Sequence, residues 1–246
     1  MIEMLSIDLS NYCSKGCPFC YNNSNSLGET AWKLEEVIEF LKDCIANGIK
    51  AISLGGGEPF EYDGIFKIIE AIYPLCYLSV TSNGLPLENE LIWHKLIKTK
   101  PDKIHLTIHN PDDESEIKRV LNRLDCLKEI GVKPGINLLV AADKISGSKL
   151  AYRMALKYIS PEQIILVPQR FSQTPTPKQL SEITAGQPFQ SPSCLLKCKV
   201  PGNFVSVSWD KRVNFCSFAQ GKEPLRSLDY KGLIEAMSKI EFKSCL

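Results

Sequence analysis

Residues 4–20 read MLSIDLSNYCSKGCPFC, a short apolar run feeding straight into Cys13, Cys17 and Cys20. The spacing is C-x3-C-x2-C, and the next thiol, Cys44, lies far downstream inside a helical pattern. Iron–sulfur cubes are held by cysteine thiolates and need four ligands. Three thiolates on one short loop therefore leave one iron open to a non-protein ligand. Zinc, the competing reading, would want a fourth Cys or His nearby, or a second pair at comparable spacing, and neither is close. Pro18 keeps Cys17 extended and out of the helical region.

Outward from this loop, apolar runs alternate with amphipathic ones. Met4–Leu9 reads as a first strand, and Leu34, Val37, Ile38, Leu41 and Ile45 fall at helical spacing before the Asn47-Gly48 stop. Strands follow at Ala51–Leu54, Tyr77–Thr81, Lys103–His109, Gly135–Val140 and Gln163–Pro168. Helices are predicted between them near Gly64–Ile72, Glu88–Ile97, Glu114–Ile130 and Ser148–Tyr158. Such alternation indicates an α/β fold of crossover units around a parallel sheet. Right-handed crossovers bring every strand's C-terminal end to one rim, where the cysteine loop, Gly55-Gly56-Gly57, Asn83-Gly84, His109 and Gln169-Arg170 all fall.

Phe171–Pro192 is rich in Ser, Thr, Gln and Pro and reads as a linker, with one helical turn around Lys178–Thr184. Beyond it Phe204–Trp209 and Val213–Phe215 form a predicted hairpin about Asp210-Lys211, closed by a helix at Leu233–Ile240. The division expected is 1–170 as a core, 171–192 as a linker and 193–246 as a small cysteine-rich α+β module.

Net charge is +1 with no long basic run, so nucleic acid is not indicated. No stretch approaches the roughly 18 apolar residues of a membrane span, and the N-terminus lacks a signal-peptide pattern. A cytoplasmic protein without membrane contact is expected, and there ten cysteines read as ligands or buried apolar groups. Cys44, Cys76 and Cys126 take the second reading, as buried structural thiols.

Taken together, Cys13, Cys17, Phe19 and Cys20 after the first strand, with Gly56-Gly57-Glu58-Pro59 after the second, resemble the radical S-adenosylmethionine (SAM) superfamily. The resemblance covers about residues 4–170. It implies a partial (β/α)6 parallel barrel holding a [4Fe–4S] cluster, with the amino and carboxylate groups of SAM on the open iron. Gly56-Gly57-Glu58-Pro59 would bond the SAM amino group, glycine allowing the close approach. Phe19 would pack on adenine, Thr107 would reach the ribose, Asn137 would serve similarly, and Arg170 would pair with the SAM carboxylate. His109 departs from the commoner family pattern and is the candidate for moving a proton.

The last 53 residues hold Cys194, Cys198, Cys216 and Cys245, spaced C-x3-C-x17-C-x28-C. This stretch resembles the twitch or SPASM extensions that bind auxiliary clusters. Four thiols suffice for one auxiliary [4Fe–4S] cube, and the same four would also make a zinc site. A complete SPASM extension would carry more cysteines than remain here.

The function this implies is reductive cleavage of SAM to a 5′-deoxyadenosyl radical that abstracts hydrogen from a substrate carbon. The electron would come from ferredoxin or flavodoxin. The auxiliary cluster would assist oxidation or crosslinking, with a peptide or protein side chain as the favoured substrate. Because the sequence opens almost at the first strand, no leader-binding domain is expected before the barrel. Alternatives are a glycyl-radical-enzyme activase, radical modification of a nucleoside or small metabolite, and a non-enzymatic iron–sulfur or zinc interaction protein.

Overall fold

The computed structural model describes residues 2–170, 173–192 and 195–243. The described residues fall into two compact units, one within Met1–Thr81, Pro86–Asp102 and Val200–Cys245, the other within Ser82–Leu85 and Lys103–Lys199.

The first unit opens with β1 (Met4–Asp8), α1 (Leu34–Ala46), β2 (Ala51–Gly55), α2 (Ile65–Ile72), β3 (Tyr77–Ser82) and α3 (Glu90–Lys98). β1 pairs with β2 and β2 with β3, all parallel. Period-two alternation sets the faces. Leu5, Ile7, Ile52, Leu54, Leu78 and Val80 are at most 1% exposed, whereas Ser6, Ser53 and Ser79 share one register row on the opposite, half-buried face. α1 buries Val37, Phe40, Leu41 and Cys44 at helical spacing, and Glu36 accepts the Lys33 N–H at its start. Each such side chain contributes about 1.5–3 kcal/mol when fully buried.

In the second unit β4 (Lys103–Ile108), α4 (Glu114–Glu129), β5 (Lys133–Val140), α5 (Ile145–Ala155), β6 (Ile164–Pro168) and α6 (Pro177–Ile183) follow. β5 lies between β4 and β6, parallel to both. Asp113 caps α4 by accepting the N–H groups of Ser115 and Glu116. α5 begins three residues before its predicted start, because buried Ser148 lies within the helix and bonds back to the Lys144 carbonyl at 2.9 Å. The Pro-rich stretch carries α6, capped by Thr176, which buries Leu180 and Ile183.

The C-terminal segment returns to the first unit as β7 (Phe204–Val207), β8 (Arg212–Asn214), β9 (Glu223–Pro224) and α7 (Tyr230–Lys239). β7 and β8 form the predicted antiparallel hairpin, with Lys211 at φ 58° in its turn. β7 also pairs parallel with β1, Met4 opposite Phe204, so the hairpin extends the first sheet. Side chains clasp it there. Lys211 meets Glu36 at 2.7 Å and lies 5.2 Å from the Trp32 ring centre, while the Trp32 indole N–H donates to the Ser208 carbonyl at 3.3 Å. Among the described residues no helix is long and apolar enough to cross a membrane.

Candidate active site

The cysteine loop leaves the C-terminal end of β1 and is fastened to the segment after β2. Gly57 N–H donates to the Ser10 carbonyl at 2.7 Å, and Glu58 N–H to the Tyr12 carbonyl at 2.9 Å. Only glycine fits at 57, since a Cβ there would lie 1.8 Å from the Tyr12 oxygen. Farther on, Ser14 N–H donates to the Glu61 carboxylate at 2.9 Å. Glu58, 1% exposed, accepts the Phe60 N–H and caps the 3-10 turn Pro59–Glu61. The three-cysteine loop and Gly56-Gly57-Glu58-Pro59 are therefore one interlocked piece.

Cys13 is buried, and Cys17 and Cys20 are half-buried. Burial pushes the Cys13 thiol up, and the N–H groups of Gly16 and Lys15 pull it back. Backbone N–H groups aimed at a sulfur favour its thiolate form, the form that binds iron. Among the described residues no three His, Cys, Asp or Glu groups stand close enough together to hold a metal ion. The loop thus presents the donor set of a cluster, three thiols with N–H groups on one of them, without gathering the sulfurs. That chemistry fits an iron–sulfur group. Phe19, next but one before Tyr21 and directly before Cys20, is 38% exposed.

Sequence reasoning missed the groups around Asp8. This carboxylate ends β1 at 2% exposure, and burial raises it to about 6 against the opposing pull of Lys222. The Tyr21 hydroxyl donates to it at 3.4 Å, and the Tyr21 ring packs 4.8 Å from that of Phe218. The signal was present, an acidic residue where the strand's alternation placed a half-buried polar face. Glu61 was missed for a different reason: nothing local marks a side chain that reaches back 47 residues.

Thr107 and Asn137 stand directly opposite each other on β4 and β5. His109 follows β4; its backbone N–H donates to Glu116 at 2.8 Å, and its ring Nδ1 lies 3.5 Å from the same carboxylate oxygen. Glu116 thereby stands beside the imidazole. Arg170, just past β6, is 5% exposed and so is no surface charge.

Cys198 and Cys216 are free and half-buried. Cys194 and Cys245 lie outside the described residues. Cys44 is fully buried as expected, whereas Cys76, in the turn between α2 and β3, and Cys126, on α4, are only half-buried.

A family model described as the Radical SAM superfamily matches residues 7–138. Curated relatives include a probable GTP 3′,8-cyclase of Methanocella arvoryzae, 25% identical over 142 residues, 54% of this chain and 46% of that one. A GTP 3′,8-cyclase of Clostridium perfringens is 27% identical over 154 residues, 58% of this chain and 48% of that one. The chain matches about half the length of these relatives. Among solved structures, Streptococcus suis SuiB bound to S-adenosylmethionine superposes with a TM-score of 0.72 at 15% identity, covering 88% of this chain and 60% of that one. Histidine-tagged anSMEcpe with bound AdoMet gives 0.67 at 16% identity, covering 96% and 81%. These likenesses show the same α/β fold.

Proposed function

Since the chain belongs to the radical SAM superfamily, an enzyme family that implies SAM and a [4Fe–4S] cluster, we propose that it generates a substrate radical for the oxidation or crosslinking of a peptide or protein side chain. The carrying observation is the interlock of the three-cysteine loop with Gly57 and Glu58 through hydrogen bonds of 2.7 and 2.9 Å. Cys13, Cys17 and Cys20 would hold the cluster, which when bound supplies the electron that cleaves SAM to methionine and a 5′-deoxyadenosyl radical. Gly56 to Pro59 offer backbone groups to the SAM amino group, and Phe19 offers a ring to adenine. Thr107 and Asn137 present side chains to the ribose, and buried Arg170 a cation to the carboxylate. His109, beside Glu116, is the candidate proton carrier. The protein's own work is positioning and exclusion of water.

An auxiliary cluster on Cys194, Cys198, Cys216 and Cys245 is part of this reading; Cys216 stands two residues past β8, at the end of the β7–β8 hairpin. A peptide substrate is favoured by likeness to SuiB bound to its precursor peptide SuiA and to anSMEcpe bound to peptides. A nucleotide substrate is the second reading, favoured by the relatives named GTP 3′,8-cyclase. Ferredoxin or flavodoxin remains the proposed electron donor, and the cytoplasm the proposed location.

Anaerobic reconstitution with dithionite and SAM, scored for 5′-deoxyadenosine, tests the activity. Iron counting tests the clusters: about eight irons per chain for two cubes, about four for an activase with one. Absence of 5′-deoxyadenosine from iron-loaded protein overturns the proposal.

A further inference from the structure

Two groups mounted on the same sheet grip one side chain of the cysteine loop. Tyr21 directly follows Cys20, and its hydroxyl donates at 3.4 Å to Asp8, the last residue of β1. The Tyr21 ring packs against Phe218, with centres 4.8 Å apart and planes at 52°. An amphipathic side chain at a surface ordinarily keeps its polar tip in water. Tyr21 does the reverse: the residue is 40% exposed, yet its tip is turned inward to a carboxylate that is only 2% exposed.

Phe218 is itself held in place. It stands two residues beyond Cys216, in a turn closed by Ala219 N–H donating to the Cys216 carbonyl at 3.1 Å. The buried Asn214 side chain donates to the Ala219 carbonyl at 2.8 Å, and Ser217 Oγ lies 3.0 Å from Ser206 Oγ. Ser206 is on β7, directly opposite Ser6 of β1 and so one pleat from Asp8. The β1–β7 pairing thus fixes Asp8 and Phe218 relative to each other, and Tyr21 bridges them. Burial pushes the Tyr21 hydroxyl well up, and Asp8, Cys20 and Cys216 all add to it, so both cysteines stand near this side chain. The Cys13 end of the loop is tied to Gly57, Glu58 and Glu61; the Cys20 end is tied to Asp8 and Phe218.

We propose that Tyr21 is a positioning residue for the cluster that Cys13, Cys17 and Cys20 would hold, and that through Phe218 it makes the C-terminal cysteine segment part of that cluster's mount. The ring and hydroxyl of Tyr21 fix the backbone beside Cys20, and with it the direction in which the Cys20 sulfur is presented. Groups that hold a metal ligand in place are typically worth about 10–100-fold in metal affinity or activity. The inference rests on the proposed function only in taking these three thiols as ligands. That function gives the C-terminal segment a cluster of its own; this inference gives it a hold on the first one as well.

The test reads retention of the first cluster rather than turnover. A ferrous chelator is added to the reconstituted, oxygen-free enzyme, and reduced aliquots are followed by electron paramagnetic resonance with and without SAM. The SAM-responsive component belongs to the first cluster, and its decay is the readout. Phe218→Leu speeds that decay about tenfold, and Tyr21→Leu does the same. The double variant decays no faster than either single one, because both act through one contact. Phe218→Tyr keeps a ring against Tyr21 and restores wild-type decay. Tyr21→Phe, which deletes only the hydroxyl, speeds decay by a smaller factor and carries the test should Phe218→Leu fail to fold. Ile234→Ala, at an exposed position of α7, leaves decay unchanged. Wild-type decay in Phe218→Leu, or in Tyr21→Phe where it stands in, overturns the inference and leaves the proposed function standing, as do additive effects in the double variant. A wild-type enzyme with no SAM-responsive component overturns the proposed function, and this inference with it.

Discussion

Replacing Gly57 with Ala drives one methyl into the junction on which the proposed function rests. The new Cβ would stand 1.8 Å from the Tyr12 carbonyl oxygen and 2.9 Å from the Tyr12 nitrogen. Relief requires the carbonyl to retreat by on the order of 1.5 Å in a packed environment that does not deform freely. That oxygen also accepts the Glu58 N–H at 2.9 Å. The bond, about 1 kcal/mol net, is lost together with about 1–3 kcal/mol of overpacking strain. Stability therefore falls by about 2–4 kcal/mol, and Tm by roughly 4–16 °C for a chain of this size. Function suffers more than stability, because Cys13 follows Tyr12 directly and a misplacement of about 1 Å can cost about 100-fold in rate. The assay is 5′-deoxyadenosine formation by reconstituted protein, beside iron content and thermal unfolding. Gly202→Ala is the control, since nothing stands within 4 Å of its added Cβ. Wild-type iron loading and cleavage in Gly57→Ala would refute the interlock as the basis of the site.

Cys17→Ala is expected to abolish 5′-deoxyadenosine, whereas Cys216→Ala leaves uncoupled cleavage at least partly intact; equal and complete loss in both contradicts the division of roles. Trp32→Ala, which empties a 4% exposed site under the β7–β8 hairpin, is expected to cost about 3–5 kcal/mol in urea unfolding. Asp8 supplies a pH signature. Its folded value is raised from 3.8 to about 6, so the folded state holds the proton more tightly and stability falls as pH climbs from about 4 to 6. Asp8→Asn removes that fall, by about 2–3 kcal/mol at pH 7, and its advantage vanishes at pH 4; an advantage that is constant across this range contradicts the assignment.

The strand–helix order was legible because each element carries its own period. Leu5 and Ile7 alternate with Ser6 along β1, and Val37, Phe40, Leu41 and Cys44 fall on one face of α1. The loop of Cys13, Cys17 and Cys20 was legible because ligand spacing is local. Pairing of β7 with β1 was not, since backbone edges carry no residue signature and Phe204 meets Met4 across nearly the whole chain. Tyr21 escaped for a related reason. In sequence it is one more aromatic residue beside a cysteine, and only the return of the C-terminal hairpin to β1 brings Phe218 against it. His109 was singled out, yet its carboxylate partner Glu116 became visible only when α4 folded back over the end of β4.

Electron paramagnetic resonance of the reduced, oxygen-free enzyme, recorded with and without SAM, tests the central claim most directly. A cluster on Cys13, Cys17 and Cys20 with one iron open to the sulfonium ligand gives a signal that changes when SAM is added, and the signal is absent in Cys17→Ala. A spectrum with no component that responds to SAM, or a SAM-responsive component that survives Cys17→Ala, would contradict the account.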